Sequence, residues 1–177
     1  QYLFQIEGGG KKIRPTMVLA MSYALNGQMT EDRSVAPTSI SETLVEKGMF
    51  ASILQKRLAE ITEMIHTASL FHDDVIDKAS TRRGSPSVNH MFGNKLAILG
   101  GDFLLSRASV SLARLRNYAV VELMSTVVEH LVKGEIMQMK PRGDAVGSSA
   151  LEHYLRKNFY KTASLMGHSC LSAAVLG

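Results

Sequence analysis

The sequence has little of several features that commonly mark a function. It contains one cysteine, Cys170, among 177 residues, which excludes an intramolecular disulfide framework and a cysteine-based zinc site. It contains no Trp and only four Pro. It has no long run of Lys or Arg, and a net charge of +4 is too small to indicate binding to nucleic acid. No uninterrupted apolar run reaches the roughly 18 residues of a membrane span.

What remains is a helix-rich composition. Hydrophobic residues make up 45% of the chain, ten of them Met, and this length predicts a single domain over residues 1–177. Apolar residues recur at helical spacing in long segments, and no segment alternates with a period of two. The sequence therefore predicts an all-α fold, a bundle of long helices.

Five helices are predicted from this spacing, at 11–25, 51–77, 94–115, 118–139 and 150–176. The first would carry an apolar face of Ile13, Met17, Val18, Met21 and Leu25. Gly100 and Gly101 lie inside the third, where each costs about 1 kcal/mol against Ala, so a neighbouring helix or a ligand is expected close by. Residues 26–49 are polar and are predicted to be a loop or a disordered insert.

Three aspartates end the second predicted helix. Asp73 and Asp77 are four residues apart and share one helix face, whereas Asp74 projects about 100° away. Two carboxylates at this spacing repel each other unless a cation lies between them, and their oxygens suit Mg²⁺. A charged helix end in solvent is the alternative, although the long apolar run before it favours a metal site.

Basic residues accompany the aspartates. Arg82 and Arg83 follow the helix end, and the planar arginine fork matches a phosphate group. His66 lies two turns before Asp73 on the same face, where a buried structural histidine is the alternative. Lys11, Lys12 and Arg14 open the first helix, and a helix N-terminus attracts phosphate, although a solvated basic start explains them as well.

Five motifs in this order resemble the trans-isoprenyl diphosphate synthases: GGGKKIRP, HDDVIDKASTRRG, GDFLL, GEIMQM and YKTASL. Within that family they are most similar to the long-chain polyprenyl diphosphate synthases that make the ubiquinone side chain. The resemblance implies an isoprenoid synthase fold of antiparallel helices around a central cavity. The family has a second aspartate-rich motif that these 177 residues lack, so we expect the chain to be an N-terminal half, incomplete at its C-terminus.

The resemblance also implies roles for individual residues. Asp73 and Asp77 would bind Mg²⁺ with Asp74 in support, and Arg82, Lys161 and Thr162 would hold the allylic diphosphate. Isopentenyl diphosphate would be bound by Lys11, Arg14, His66 and Arg83. The catalytic set would be Asp73, Asp74, Asp77 and Lys161. Asp102, Glu135 and Gln138 match positions that line the polar cavity.

Product length would be set below the aspartates, at the small residues Ala68 and Ser69. They would leave a tunnel open toward Ile65 and Ile61, although small residues also let helices pack closely. The resemblance further implies a mitochondrial protein, or a cytoplasmic one in a bacterium. It implies peripheral membrane association through the product.

The expected assembly is a homodimer or a hetero-oligomer. Two other functions remain open. One is a non-catalytic subunit of a heteromeric synthase, although such subunits usually have a degraded aspartate motif. The other is a metal phosphohydrolase using His66, His72 and Asp73.

Overall fold

The computed structural model describes residues 12–26, 51–139 and 148–177, with the side chains of residues 148 and 149 excepted. The α-helices within these ranges are α1 Ile13–Asn26, α2 Ile53–Ile76, α3 Val88–Phe92, α4 Asn94–Ala113, α5 Tyr118–Met139, α6 Ser148–Asn158 and α7 Ser164–Val175. A π-helical turn, Phe159–Ala163, joins α6 to α7. A short antiparallel hairpin of β1 Thr81–Arg82 and β2 Ser85–Pro86 follows α2.

The all-α prediction is confirmed, and the five predicted helices are all found in the part of the chain that the structure describes. The last predicted helix, at 150–176, is interrupted by the π-helical turn. Lys11 lies outside the described residues. So does the predicted loop or insert at 26–49, except for Asn26, which ends α1.

The central helix α2 begins at a capping box. The Ser52 hydroxyl accepts from the Gln55 backbone N–H at 3.2 Å, and the Gln55 side chain accepts from the Ser52 N–H at 2.9 Å. This reciprocal pair satisfies two backbone donors that a helix start otherwise leaves free. Gln55 is fully buried and also donates to the Ala173 carbonyl at 2.9 Å. The polar start of α2 therefore ties the helix to the end of α7.

The core is formed mainly by α2 together with α1, α5 and α7. Its fully buried aliphatic side chains come from all four helices and include Val18, Leu58, Ile61, Val120, Met124, Val127 and Leu165. On α1 only part of the predicted apolar face is buried, because Val18 and Ser22 turn inward while Met17 and Met21 are exposed. Both methionines therefore lie on the exposed face of α1.

Helix α4 packs along α2 and leaves apolar side chains exposed on its other face, among them Leu96, Leu99 and Phe103. It is the one helix in the described ranges that is long and apolar enough to cross a membrane, with a mean hydropathy of 1.4 over its most apolar window. Asp102 and Arg107 interrupt it. Core helices of soluble proteins meet the same criterion, so this finding alone does not make α4 a membrane span.

Candidate functional site

An open cleft of about 230 Å³ lies at the end of the bundle where α2 finishes. Four helical segments line it: α1, α2, α5, and the π-helical turn with the start of α7. The lining residues are Arg14, His66, Ser69, Leu70, Asp73, Leu131, Lys161, Thr162 and Leu165. The fold therefore gathers six residues selected from the sequence, although up to 148 positions separate them along the chain.

Lys161 is the centre of the polar part of the cleft. Its ammonium forms an ion pair with Glu135, donates to the Gln138 side-chain oxygen at 3.1 Å, and lies 3.6 Å from an Asp73 oxygen. Burial alone would lower the pKa of Lys161, but the Glu135 hydrogen bond and the carboxylate charges of Asp73, Glu135 and Asp77 outweigh it and raise the pKa. Lys161 is therefore fully charged at neutral pH.

Asp73 is half-buried beside these groups. Burial raises the pKa of Asp73 to about 6, with Lys161 opposing the rise and the carboxylates of Glu135 and Asp77 adding to it. Asp77, one turn further along, is exposed and caps the C-terminus of α2. Negative charge is thus concentrated in a poorly solvated place, and a further cation would relieve the repulsion.

The π-helical turn brings Lys161 to the cleft. A Cβ added at Gly134 would lie 2.9 Å from the Lys161 backbone nitrogen and 3.1 Å from its Cα. Only glycine allows α5 and the turn to approach this closely, because no flexible side chain can move aside. Turns of this π type often occur at functional sites, and Lys161 and Thr162 both lie in this one.

Arg14 and His66 form the opposite wall of the cleft. The Arg14 guanidinium donates to His66 Nε2 at 2.9 Å, and since arginine has no acceptor, His66 must be neutral with its proton on Nδ1. Burial, with the charges of Arg14, Arg83 and Arg82, lowers the pKa of His66 to about 4. Three arginines therefore lie near one uncharged imidazole.

The two arginines after α2 are carried by the hairpin. Arg82 grips the buried Asp74 carboxylate with two parallel bonds, Nε to Oδ2 at 2.8 Å and Nη2 to Oδ1 at 2.6 Å. The turn between the strands is Arg83-Gly84, with φ of 53° and 82°, as expected for a two-residue hairpin turn. Asp74 therefore fixes an arginine through its carboxylate.

Other selected residues lie apart from the cleft wall. Ala68 is fully buried and is not among the residues that line the cleft, in contrast to its neighbour Ser69. Ile65 and Ile61 belong to the packed core.

Asp102 of α4 also lies apart from the cleft wall, because it is exposed and lies 3.4 Å from His72 Nε2. The expected close approach at the glycines of α4 is confirmed, because a Cβ at Gly101 would come within 2.3 Å of the His72 ring.

The carboxylates of the cleft fit a magnesium ion that is completed by other ligands. No three His, Cys, Asp or Glu side chains in the described ranges are arranged to hold a metal by themselves. Mg²⁺ is commonly held by one or two carboxylates, with water and substrate phosphates supplying the rest. The Glu135 Oε1 atom is buried with no hydrogen-bond partner within the described structure, which adds an unsatisfied acceptor beside Asp73. Asp73 and Asp77 are the residues that would hold such an ion.

Three cleft residues were not selected as site residues from the sequence: Leu70, Leu131 and Leu165. The last two each lie one helical turn from a polar residue of the cleft, Leu131 before Glu135 and Leu165 after Lys161. That spacing was visible in the sequence. An apolar residue near a candidate site is nonetheless more often part of the core, so the spacing alone did not single them out.

In this all-α bundle, one cleft gathers an acidic cluster, a lysine and arginines. That arrangement defines a class of helical proteins suited to an anionic ligand and a divalent cation. The chain belongs to the polyprenyl synthetase family, whose model matches residues 1–177. This finding confirms the resemblance noted in the sequence.

Two curated relatives illustrate the likeness. A probable mitochondrial hexaprenyl pyrophosphate synthase of Yarrowia lipolytica is 60% identical over 220 aligned positions, covering 99% of this chain and 48% of the relative. Decaprenyl-diphosphate synthase subunit 1 of Schizosaccharomyces pombe is 48% identical over 175, covering 95% of this chain and 46% of the relative. The chain thus spans less than half the length of these relatives. The mitochondrial name of the first agrees with the expected mitochondrial localisation.

Two solved structures share the fold. A decaprenyl diphosphate synthase from Rhodobacter capsulatus superposes with a TM-score of 0.79 at 28% identity, covering 99% of this chain and 46% of the other. A polyprenyl synthase from Caulobacter crescentus, complexed with calcium and isoprenyl diphosphate, gives 0.74 at 27% identity and covers 97% and 44%. The predicted isoprenoid synthase fold is confirmed.

Proposed function

We propose that the protein is a long-chain trans-polyprenyl diphosphate synthase that joins isopentenyl diphosphate to an allylic diphosphate, making a side chain for ubiquinone. The observation that carries the proposal is the charge arrangement of one cleft. Asp73 and Lys161 form its acidic and basic centre, and Arg14 with neutral His66 forms the facing wall. A reaction between two diphosphates needs two anion sites next to each other, and this cleft has cations on both sides.

The first diphosphate site is assigned to the acidic side. Asp73 and Asp77 would hold Mg²⁺, which supplies Lewis-acid stabilisation of charge on the departing diphosphate. Lys161 and Thr162 would bind the allylic diphosphate directly, as would Arg82 through the nitrogen that Asp74 does not occupy. Since Lys161 is already ion-paired with Glu135, its charge is held in position before substrate arrives.

The second diphosphate site is assigned to the wall of Arg14, His66 and Arg83, with Lys11 added from the sequence motif. The Arg14 guanidinium is oriented by its bond to His66. Because His66 is neutral, it can accept the Arg14 hydrogen bond without the repulsion that an imidazolium would exert on the arginines. The Nδ1–H of His66 remains a donor that an isopentenyl diphosphate oxygen could accept from.

The proposed chemistry uses these charges in sequence. The allylic C–O bond breaks, the diphosphate leaves with the bonding electrons, and the alkene of isopentenyl diphosphate forms the new C–C bond before losing a proton. Fixed cations around the leaving diphosphate lower the barrier because they need no reorganisation as charge develops. The apolar side chains Leu70, Leu131 and Leu165 would line the path of the hydrocarbon and keep water from the cation.

The experiment is a condensation assay on the protein at its full natural length. Farnesyl diphosphate, labelled isopentenyl diphosphate and Mg²⁺ should give labelled products longer by multiples of five carbons. Asp73→Asn and Lys161→Met should each abolish them, while Glu152→Gln should retain them, because Glu152 is exposed and, among the described residues, pairs only with Arg156 on its own helix. Inorganic phosphate released without isopentenyl diphosphate would instead support the phosphohydrolase.

We propose in addition that the protein works as an oligomer, a homodimer or a hetero-oligomer, in the mitochondrion. The name of the Schizosaccharomyces pombe relative, a subunit 1, supports a partner subunit. The intact Asp73, Asp74 and Asp77 motif supports a catalytic role within such an assembly over a non-catalytic one. Peripheral membrane contact would come through the long apolar product. Light scattering on the purified protein, alone and co-expressed with candidate subunits, tests the assembly.

A further inference from the structure

We propose that Asn89 is a positioning residue that holds the arginine hairpin against the aspartate-bearing end of α2, and so keeps Arg82 and Arg83 in place for a diphosphate. The proposal rests on the proposed function for its ligand and on the structure for its mechanism. Asn89 lies in the short helix α3, after the hairpin, and does not line the cleft.

The hairpin cannot hold its own shape. Each strand has two residues, paired only as Thr81 with Pro86 and Arg82 with Ser85. Isolated two-stranded hairpins are marginal even when they are longer. Its turn also places Arg83 at a φ of 53°, a conformation that is unfavourable for a residue with a side chain. The position of both arginines must therefore be fixed from outside the hairpin.

Asn89 supplies that fixation from one amide group. Its Nδ2 donates to the carbonyl of Asp74 at 3.2 Å and to the carbonyl of Ala79 at 3.1 Å. The first carbonyl belongs to the last turns of α2, and the second belongs to the segment that leads into β1. The Ser87 hydroxyl donates to the same Ala79 carbonyl at 2.6 Å, so the base of the hairpin is held from two residues.

Asp74 is thereby held twice, once by the hairpin and once by α3. Its carboxylate takes the fork of Arg82, and its backbone carbonyl takes the Asn89 amide. The Asn89 Oδ1 atom is buried with no hydrogen-bond partner among the described residues. A buried unsatisfied oxygen is unfavourable. The amide is nevertheless suited to this position because its nitrogen donates two hydrogen bonds. An aspartate at position 89 would have no amide donor and would place a carboxylate oxygen, another acceptor, against the Asp74 and Ala79 carbonyls.

The test compares Asn89→Ala with a matched control, Asn117→Ala. The Asn117 side chain accepts from the Val120 N–H at 3.2 Å at the start of α5, about 27 Å along that helix from Glu135. Both substitutions remove the same amide and should lower the melting temperature by a few degrees. Asn89→Ser, which retains one donor, is a milder second variant should Asn89→Ala fail to fold.

Two readouts separate positioning from general stability. Hydrogen exchange at residues 79–87 should be faster in Asn89→Ala and unchanged in Asn117→Ala. The affinity for inorganic pyrophosphate with Mg²⁺, measured by calorimetry, should fall about tenfold in Asn89→Ala and stay unchanged in Asn117→Ala. A small displacement of the arginines is enough to weaken their contacts with the ligand strongly. Hairpin exchange equal to wild type, or faster exchange with unchanged pyrophosphate affinity, would overturn the proposal. A wild-type protein that binds no pyrophosphate would overturn the proposed function instead, since the exchange comparison involves no ligand.

Discussion

The Arg82 guanidinium and the Asp74 carboxylate form a two-bond ion pair in which the acid is buried and the base is partly exposed, with 5% and 36% of their side chains accessible. The pair joins the helix that carries the aspartates to the hairpin that carries the arginines. Because the two side chains differ in burial, removing the arginine and removing the carboxylate charge should lower the stability of the fold by different amounts.

Arg82→Met should therefore destabilise the protein more than Asp74→Asn. Removing the arginine leaves a buried carboxylate uncompensated, for which about 3 kcal/mol is typical, whereas the freed arginine of Asp74→Asn can reach water and should cost about 1 kcal/mol. Urea unfolding measures both. Arg57→Met, at the exposed Arg57–Glu60 pair, is the control and should change stability by less than about 1 kcal/mol. Equal losses at 82 and 74 would contradict this account.

Gly134→Ala should disturb the cleft although it adds one methyl group. The new Cβ would meet the Lys161 backbone at 2.9 Å, so α5 and the π-helical turn must separate, at about 1–3 kcal/mol. Pyrophosphate affinity should fall as Lys161 moves from Asp73. Gly167→Ala is the matched control, with open space around its Cβ, and should be neutral or slightly stabilising. Normal pyrophosphate binding by Gly134→Ala would show that this close approach is dispensable.

His66 should stay neutral at mildly acidic pH. The folded-state pKa of about 4 lies below the ordinary value of 6.5, so the unfolded chain takes up the proton first and the folded state loses stability as the pH falls from 6.5 towards 4. The imidazole resonances of His66, followed by NMR, give the pKa directly. His66→Gln should flatten the dependence of melting temperature on pH over this window. A midpoint near 6.5 would exclude the Arg14 to Nε2 hydrogen bond.

The proposed function predicts that Ser69→Phe shortens the polyprenyl product, because Ser69 lines the cleft and a phenyl ring there would fill part of it. Ala68→Phe should instead destabilise the fold, because Ala68 is fully buried. Overpacking of the core by the added ring should lower the free energy of unfolding by about 1–3 kcal/mol or more. Product length is read by chromatography, and folding by thermal melts. Unchanged product length in a folded Ser69→Phe protein would refute the tunnel hypothesis.

The helices were predictable because their signals are local. The capping residues at Ser52 and Gln55, the apolar spacing of α2, and the Asp73 to Asp77 interval all lie within a few turns of one helix. In α1 the same local spacing correctly predicted a helix but not its buried face, because Met17 and Met21 are apolar yet exposed. Period alone identifies a helix, but which face is buried depends on which neighbours cover it.

The sequence by itself determined the all-α class, the acidic face of α2 and the basic segments, since each follows from residue type and spacing along one helix. Only the tertiary structure decided the partners: Asp74 with Arg82, Arg14 with His66, and Lys161 with Glu135. Those pairs join positions 8 to 52 residues apart, and such contacts depend on how helices pack and turn. A π-helical turn and a glycine that lets two backbones touch are products of that packing, and no local pattern encodes them.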